Sequence, residues 1–486
     1  MATTTPSTTS RNFVGGRQLD AVDGATRTIF NPATGAAIGT VPDGTAADVD
    51  RAVEAALAAK REWAQATPGE RATVLLAMAD AMDAATAELA GIESANTGKP
   101  LPQARDEVTA SADLLRFFAG AARTLEGKSA GEYVKGYTSM VRREPIGLVA
   151  GIAPWNYPLN MAAWKIGPAL AAGNVQILKP AEGTPLSLLR FAELAAPHIP
   201  AGVLNVITGD GPRVGAPLSE HRAVGLVSLT GDVRTGKTVA HACADNLTRV
   251  HLELGGKAPV VVLDDADLEQ TVAAIRVAGY WNSGQDCTAG TRIIATAGIY
   301  DRLLEALVPA VESLTVGDPA DGDHVEMGPV ISERQQQRVL GFLDRATAAG
   351  AQVITGGSTK AGPAGGSFVT PTIVTRVAQD SEIVQDEVFG PVTTVQRVDD
   401  YEQALAYAND TRYGLAASVF TEHVGRAVDA ARRLEFGCVW VNDHLTPITS
   451  EMPHGGFKES GYGKDMSVYS LEDYTQIKHV AIRIGG

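Results

Sequence analysis

From Ile146 onward, short apolar runs alternate with amphipathic segments: "IGLVAGI", a helix-like "LNMAAWKIGPALAAG", "VQILK", a helix from Pro185, "VLNVIT" and "AVGLVSLT". This rhythm predicts βαβ units and a mostly parallel, doubly wound sheet, an architecture that commonly binds dinucleotides. A second alternating series follows Glu253, with "PVVVL", a helix from about Asp267, "RIIATA", a helix from Tyr300, "QVITGG" and finally "CVWVN". Two successive α/β domains fit this pattern. The rhythm breaks twice, at "GEYVKGYTSMVRREP" within the stretch from Ala119 and at the C-terminal "IKHVAIRI". Both pieces predict either edge strands or strands at a subunit interface.

Composition narrows the class without choosing the chemistry. With 486 residues, 45% hydrophobic and 20% charged, the chain has the length for two or three domains with large cores. Lys and Arg number 41 against 56 Asp and Glu, a net charge of −15, and no basic stripe interrupts this balance, so a nucleic-acid partner is not expected. The opening "MATTTPSTTS" has neither the basic flank nor the apolar core of a signal peptide, and no run is long and apolar enough for a membrane span; a cytoplasmic protein is expected. Three widely separated cysteines, Cys243, Cys287 and Cys438, argue against a disulfide scaffold and for one reactive thiol among inert ones. The nine His show no metal-ligand spacing, so no metal is expected.

One stretch points elsewhere. "TGDVRTGKT" contains Gly231-x-x-x-x-Gly236-Lys237-Thr238, the pattern of a nucleotide-triphosphate P-loop, and Asp264 in "PVVVLDD" stands where a Mg²⁺-holding acid would be sought. A P-loop nucleotidase is therefore a competing reading, as is a non-catalytic binding protein. Neither gives Cys287, Glu253 and Asn156 a shared purpose.

Those three residues sit where glycine and proline constrain the backbone: Cys287 in "NSGQDCTAG", Glu253 in "HLELGGKAP" and Asn156 in "APWNYP". Together with Glu387-Val388-Phe389-Gly390-Pro391, these motifs span most of the chain, and in them the sequence resembles the NAD(P)-dependent aldehyde dehydrogenase superfamily. The resemblance implies a Rossmann-type cofactor domain (1–122 and 143–252), an α/β catalytic domain (253–466) and a small β oligomerisation element (123–142 and 467–486), in a homotetramer or homodimer. It implies Cys287 as nucleophile, Asn156 as oxyanion donor and Glu253 as the base for thioester hydrolysis. Glu253 also argues against a coenzyme-A-acylating relative. Lys165 and Asp465 match a proposed proton relay, for which a plain surface pair is the alternative. For the cofactor the resemblance assigns Ile152, Trp155, Lys179, Glu182, Gly211, Gly231, Asp232, Leu254, Glu387 and Phe389. A carboxylate at Glu182 favours NAD over NADP, because it accepts from free ribose hydroxyls and repels a 2′-phosphate. Asp232 replaces the usual Ser and is expected to cap a helix.

The substrate expectation rests on charge and aromatic residues. Asp286, beside the nucleophile, should raise the thiol pKa unless a cationic substrate compensates, the alternative being a turn-capping carboxylate. Tyr157, Trp164 and Trp281 match the aromatic box of the betaine- and aminoaldehyde-oxidising branch, where ring faces attract an ammonium. Glu107 matches an acidic position at the channel mouth of that branch. His454 stands where betaine-oxidising enzymes have Trp, which opens the cage, and Glu451 is close in sequence. The wording around Cys287 and His454 most resembles γ-aminobutyraldehyde dehydrogenases, implying an ω-aminoaldehyde substrate. Cys243 and Cys438 are expected in the core.

Overall fold

The computed structural model describes residues 8–359, 365–445 and 448–485. Its first sheet has eight strands, in the order Gly461–Tyr462, Arg249–Leu254, Val224–Gly231, Leu148–Ile152, Val175–Lys179, Leu204–Val206, Asn12–Val14 and Arg17–Leu19. The five central strands are parallel, and the edges are closed by antiparallel pieces. Chain order reverses between Leu148–Ile152 and Val224–Gly231, so the crevice beyond their carboxyl ends is the natural ligand site of such a sheet. Strand Val175–Lys179 is buried at every position, as expected of a sheet covered on both faces.

The second sheet has seven strands, ordered Gln352–Thr355, Thr372–Thr375, Val392–Val398, Gly290–Thr296, Ala258–Val262, Ala416–Phe420 and Cys438–Val441. All pairings but that of the Gln352–Thr355 edge are parallel. One large apolar cluster surrounds the first sheet and three smaller ones surround the second.

The two pieces that broke the rhythm pair with each other. Thr475–Arg483 runs antiparallel to Tyr137–Pro145, which also pairs with Gly131–Val134, in a separate three-stranded sheet. Tyr133, Val134, Ile477 and Ile482 are exposed on it. The first 122 residues, which precede the two alternating series, contribute four helices, Ala46–Gln65, Pro68–Ala84, Thr86–Thr97 and Leu101–Ala122, whose buried faces belong to the first core. The second of these helices begins with a local signal: Thr67 and Glu70 form a capping box around Pro68 at the first helical position. Among the described residues no helix is long and apolar enough to cross a membrane.

Candidate active site

Cys287 lies in the loop between the Leu268–Tyr280 helix and the Gly290–Thr296 strand, behind a turn that few sequences tolerate. Asn282, Ser283 and Gly284 all have left-handed backbones, with φ of 49°, 58° and 67°. Such a conformation costs on the order of 1–3 kcal/mol per non-glycine residue and persists only where the surroundings enforce it. They do so through hydrogen bonds: Asn282 N–H donates to Gln103 Oε1 (3.1 Å), Asn282 Nδ2 to Asn156 O (3.0 Å), Ser283 Oγ to Gly328 O (2.9 Å) and Ile331 N–H to Gln285 Oε1 (2.8 Å). Gly284 is obligatory, since a Cβ there would lie 2.3 Å from Gly390 O. Gly256 is equally constrained, its missing Cβ lying 2.3 Å from the Cys287 carbonyl oxygen. The loop thus clamps Cys287 to the segment that follows Glu253. Asn156, in the turn after Leu148–Ile152, donates one amide N–H to Gln285 O (3.1 Å), which leaves the second for a ligand.

Glu253 is 1% exposed, and neither carboxylate oxygen accepts a hydrogen bond among the described residues. Burial, followed by the charges of Glu253 and Asp286, pushes the Cys287 thiol well above its ordinary range. The expected effect of Asp286 is present, with burial as the larger cause. His454 is also buried, its Nε2 3.8 Å from Glu253 Oε1 and its Nδ1 3.7 Å from Cys438 Sγ, with its ring edge-on to Trp164 at 5.0 Å between centroids. Two expectations are corrected here. His454 does not simply vacate a cage; it fills the space between Trp164 and Glu253. Cys438 is not an inert core residue; it is half-buried beside His454, which holds its thiol below the ordinary range although burial opposes this. Cys243, by contrast, is fully buried, and burial raises its thiol to about 11.

Lys165 and Asp465 are no surface pair. Both are completely buried, and Lys165 Nζ donates to Thr230 Oγ1 (2.8 Å) and Ser228 Oγ (3.3 Å). Burial lowers the Lys165 pKa while Asp465 and Glu253 hold it up. The sequence reading missed His251, whose Nε2 is 3.3 Å from Asp465 Oδ1. Burial opposes its charged form, but Asp465 prevails and lifts His251 to about 9; burial likewise opposes the charge of Asp465, which Lys165 and His251 draw down to about 2. A signal was available, because His251 and Glu253 are two apart on one strand and so share a face. Their register partners are Ser228 and Thr230, the hydroxyls that receive Lys165.

On the aldehyde side, Tyr157 OH donates to Asp286 Oδ2 (2.7 Å), while Thr288 N–H and Oγ1 donate to Oδ1 (2.7 and 2.6 Å). Asp286 therefore caps its own turn and also carries a half-buried carboxylate next to Cys287. The expectation for Glu107 is corrected: it stands not at a channel mouth but in a buried ion pair with Lys99, also accepting from Asn160 N–H (3.2 Å). Lys99 in turn lies 4.3 Å from the centroid of the Tyr157 ring. Trp281 is half-buried at the end of its helix, and Glu451 is exposed.

The P-loop reading fails on backbone shape. Gly231 ends a strand, Asp232 caps and Val233 begins a helix, so no loop exists to cradle phosphates, and Gly236, Lys237 and Thr238 are already helical. Asp232 accepts from Thr235 N–H (3.0 Å) and Oγ1 (2.6 Å), as a capping carboxylate should. Gly236 serves packing, since a Cβ there would meet Leu254 at 2.6 Å. Lys237 reaches Glu459 (2.9 Å) at the surface, and Asp264 accepts from Thr296 and Gly298 in the other sheet. The same helix borders a cleft of about 680 Å³ lined by Asp232, Arg234, Lys237, Arg338, Arg412 and Glu387.

Several expected cofactor residues gather nearby. Glu387 Oε1 accepts from Gly256 N–H (2.9 Å), and burial raises its pKa to about 7. A Cβ on Gly255 would lie 2.3 Å from that carboxylate, so the backbone passes directly beneath it. Trp155 and Phe389 meet edge to face at 5.2 Å. Ile152 ends its strand, buried Lys179 donates to Pro180 O (2.9 Å), Glu182 is exposed, and Gly211 is open to solvent in a short turn.

A profile of the aldehyde dehydrogenase family matches residues 20–480. Among solved structures, a Burkholderia cenocepacia protein assigned to the aldehyde dehydrogenases is 41% identical over 98% of this chain and 97% of its own, with a TM-score of 0.96. Betaine aldehyde dehydrogenase from Staphylococcus aureus in complex with NAD⁺ is 37% identical over 98% of this chain and 95% of its own, with a TM-score of 0.96. The NAD⁺ complex of an aldehyde dehydrogenase from Bacillus cereus is 37% identical over 98% of this chain and 97% of its own, again at 0.96.

Proposed function

We propose, for a chain that belongs to the aldehyde dehydrogenase family, the NAD-dependent oxidation of a small ω-aminoaldehyde, most specifically 4-aminobutanal to 4-aminobutanoate. The observation that carries the chemistry is that a half-buried thiol on a strained loop, a buried strand carboxylate and a turn amide come together, the carboxylate without a hydrogen bond and the amide with one N–H unused among the described residues. Cys287 loses its proton, with Glu253 as the nearby base, and its sulfur adds to the aldehyde carbon. The second N–H of Asn156 and the Cys287 backbone N–H stabilise the oxyanion of the thiohemiacetal. Loss of the hydride from that carbon, for which NAD would supply the acceptor, leaves a thioester, and Glu253 removes a proton from the water that cleaves it, releasing acid and thiol. Lys165, buried and under the charges of both Glu253 and Asp465, is the group through which that proton would be relayed.

The residues fit a dinucleotide. Glu387 beside Gly255 and the Trp155–Phe389 pair would hold the nicotinamide end, Leu254 and Ile152 its floor, and Lys179 with Glu182 the adenosine ribose. The Gly231–Asp232 helix start and Gly211 would border the phosphates. NAD supplies the hydride acceptor, and NAD⁺ complexes of two relatives support it as cofactor. The exposed apolar residues of the three-stranded sheet support a role for 123–142 and 467–486 in joining subunits, as a homotetramer or homodimer, beside a cofactor domain of 1–122 and 143–252 and a catalytic domain of 253–466.

The aminoaldehyde assignment rests on Asp286, whose carboxylate sits beside Cys287 with Tyr157 bonded to it. A betaine aldehyde substrate is the second reading, favoured by the Staphylococcus aureus neighbour and by the aromatic surface of Trp164. Initial rates of NADH formation with 4-aminobutanal, betaine aldehyde and butanal test both. Asp286→Asn keeps the turn-capping oxygen and removes the charge, so kcat/KM should fall for 4-aminobutanal far more than for butanal. Equal losses on the two would remove the ammonium anchor, and a preference for betaine aldehyde would establish the second reading.

A further inference from the structure

Glu253, Cys287 and His454 come from a strand, a loop and a distant C-terminal segment, yet a carboxylate oxygen, a thiol sulfur and an imidazole nitrogen of the three lie within 4.8 Å of one another. We propose that this trio is a binding site for a divalent cation of the zinc class, and that occupancy switches the enzyme off by capturing the nucleophile.

The donor set is the first argument. Thiolate, imidazole and carboxylate together match a borderline-soft ion, and three protein ligands leave a fourth position open. The second is that the donors lack hydrogen bonds: Glu253 Oε1 and Oε2 and His454 Nε2 are buried without one among the described residues, with only the 3.8 Å approach of Nε2 to Oε1 between them, a costly arrangement that a ligand would relieve. Bond lengths of 2.0–2.3 Å around a tetrahedral ion require ligand atoms roughly 3.3–3.6 Å apart. The Glu253–His454 edge, at 3.8 Å, nearly meets this already, and no two of the three ligand atoms are more than 4.8 Å apart.

The outer shell is also in place. A ligating imidazole is normally oriented by a partner on its other nitrogen, and His454 Nδ1 faces Cys438 Sγ at 3.7 Å, with Trp164 against the ring. Nε2 is thereby aimed at Glu253. Binding is balanced as the cation displacing the Cys287 thiol proton, and with it the Nε2 proton of a His454 imidazolium, to solvent as the metal–sulfur and metal–nitrogen bonds form. The ion then holds both sulfur and carboxylate, so neither can react. That inhibition rests on the reading of Cys287 and Glu253 as nucleophile and base; the binding itself does not.

The test uses the full-length protein, stripped of metal with a chelator and free of NAD. Titration with Zn²⁺ by calorimetry and with Co²⁺ by absorbance should give one site per chain and a thiolate-to-cobalt charge-transfer band. Cys287→Ser should abolish the band. His454→Gln should weaken binding at least 100-fold, and Cys438→Ala, acting through the outer shell, by about 10–100-fold. Zn²⁺ should slow alkylation of Cys287 with the same affinity. Absence of the band in the wild type, or binding unchanged in both Cys287→Ser and His454→Gln, overturns the site. If His454→Gln fails to fold, Cys287→Ser alone decides. Turnover without Zn²⁺ binding refutes only the metal site, whereas Zn²⁺ binding in a protein that oxidises no aldehyde refutes only the functional reading.

Discussion

Two carboxylates in this molecule are almost equally hidden from water, and they are treated in opposite ways. Glu107 is paired with Lys99, accepts from Asn160 N–H, and lies with Lys99 beneath the ring of Tyr157. Glu253 accepts nothing among the described residues and faces a thiol and an imidazole. Burying a charge costs several kcal/mol unless partners compensate. The Glu107 carboxylate has its own cation, although Lys99 also faces a second buried acid, Glu93, whose Oε2 has no hydrogen bond among the described residues; Glu253 has no lysine paired with it among those residues and is left to a substrate, a water or an ion. The difference separates the floor of the site from its working surface, although both carboxylates are acids on regular secondary structure.

The widest contrast is between chemistry and stability. Glu253→Gln should lower kcat by roughly 10²–10⁴-fold, the range of a lost general base, while the urea midpoint of unfolding stays the same or rises. Lys99→Met should do the reverse and cost about 3–5 kcal/mol in unfolding, because it strands Glu107; adding Glu107→Leu should recover most of that loss. Should Lys99→Met leave stability intact, the contrast between the two carboxylates is broken.

A smaller effect concerns pH. His251 is raised from an ordinary 6.5 to about 9, so its pairing with Asp465 stabilises fully below pH 6.5 and is lost as pH climbs through 9. Asp465 is depressed from 3.8 to about 2, so its contribution is present above pH 3.8 and is lost as pH falls through 2. His251→Asn should therefore flatten the decline of Tm between pH 6.5 and 9, as read by thermal melts across that window. The mildest change expected is at the cofactor side. Asp232→Ser preserves the helix cap, shifts stability by no more than about 0.5 kcal/mol, and removes a negative charge, so NAD should bind a few-fold more tightly by fluorescence titration. Unchanged or weaker affinity would mean that the carboxylate, held by Thr235, never opposes the cofactor.

Much of the fold was legible because period and punctuation are local. Each apolar run named from Ile146 to "CVWVN" became a strand, and the two segments outside the rhythm proved to pair with each other. Of the four helices up to residue 122, Pro68–Ala84 and Thr86–Thr97 carry little amphipathic periodicity, whereas Ala46–Gln65 and Leu101–Ala122 have a clear apolar face that was legible in the sequence. In the site, the glycines beside Glu253 and Cys287 mark real backbone constraints, since Gly256 and Gly284 are positions that only a missing Cβ permits. Motif spelling misled where backbone shape mattered: the eight residues from Gly231 read as a phosphate loop and fold as a strand end and a capped helix.

What the sequence determined by itself, then, is the α/β architecture and the family, together with which residues to propose as reacting groups, all carried by short segments whose meaning survives in isolation. What only the tertiary structure decided is which charges are left without partners. Glu107 matched an acidic position at a channel mouth and lies in a buried ion pair with Lys99; Lys165 and Asp465 could have been a surface pair and are buried with His251; His454 looked like an empty corner and faces Glu253 and Cys438. Partnering is set by side chains that are far apart in the chain and adjacent in space, and the cost of a buried charge depends on every atom around it. No spacing along the sequence contains that sum.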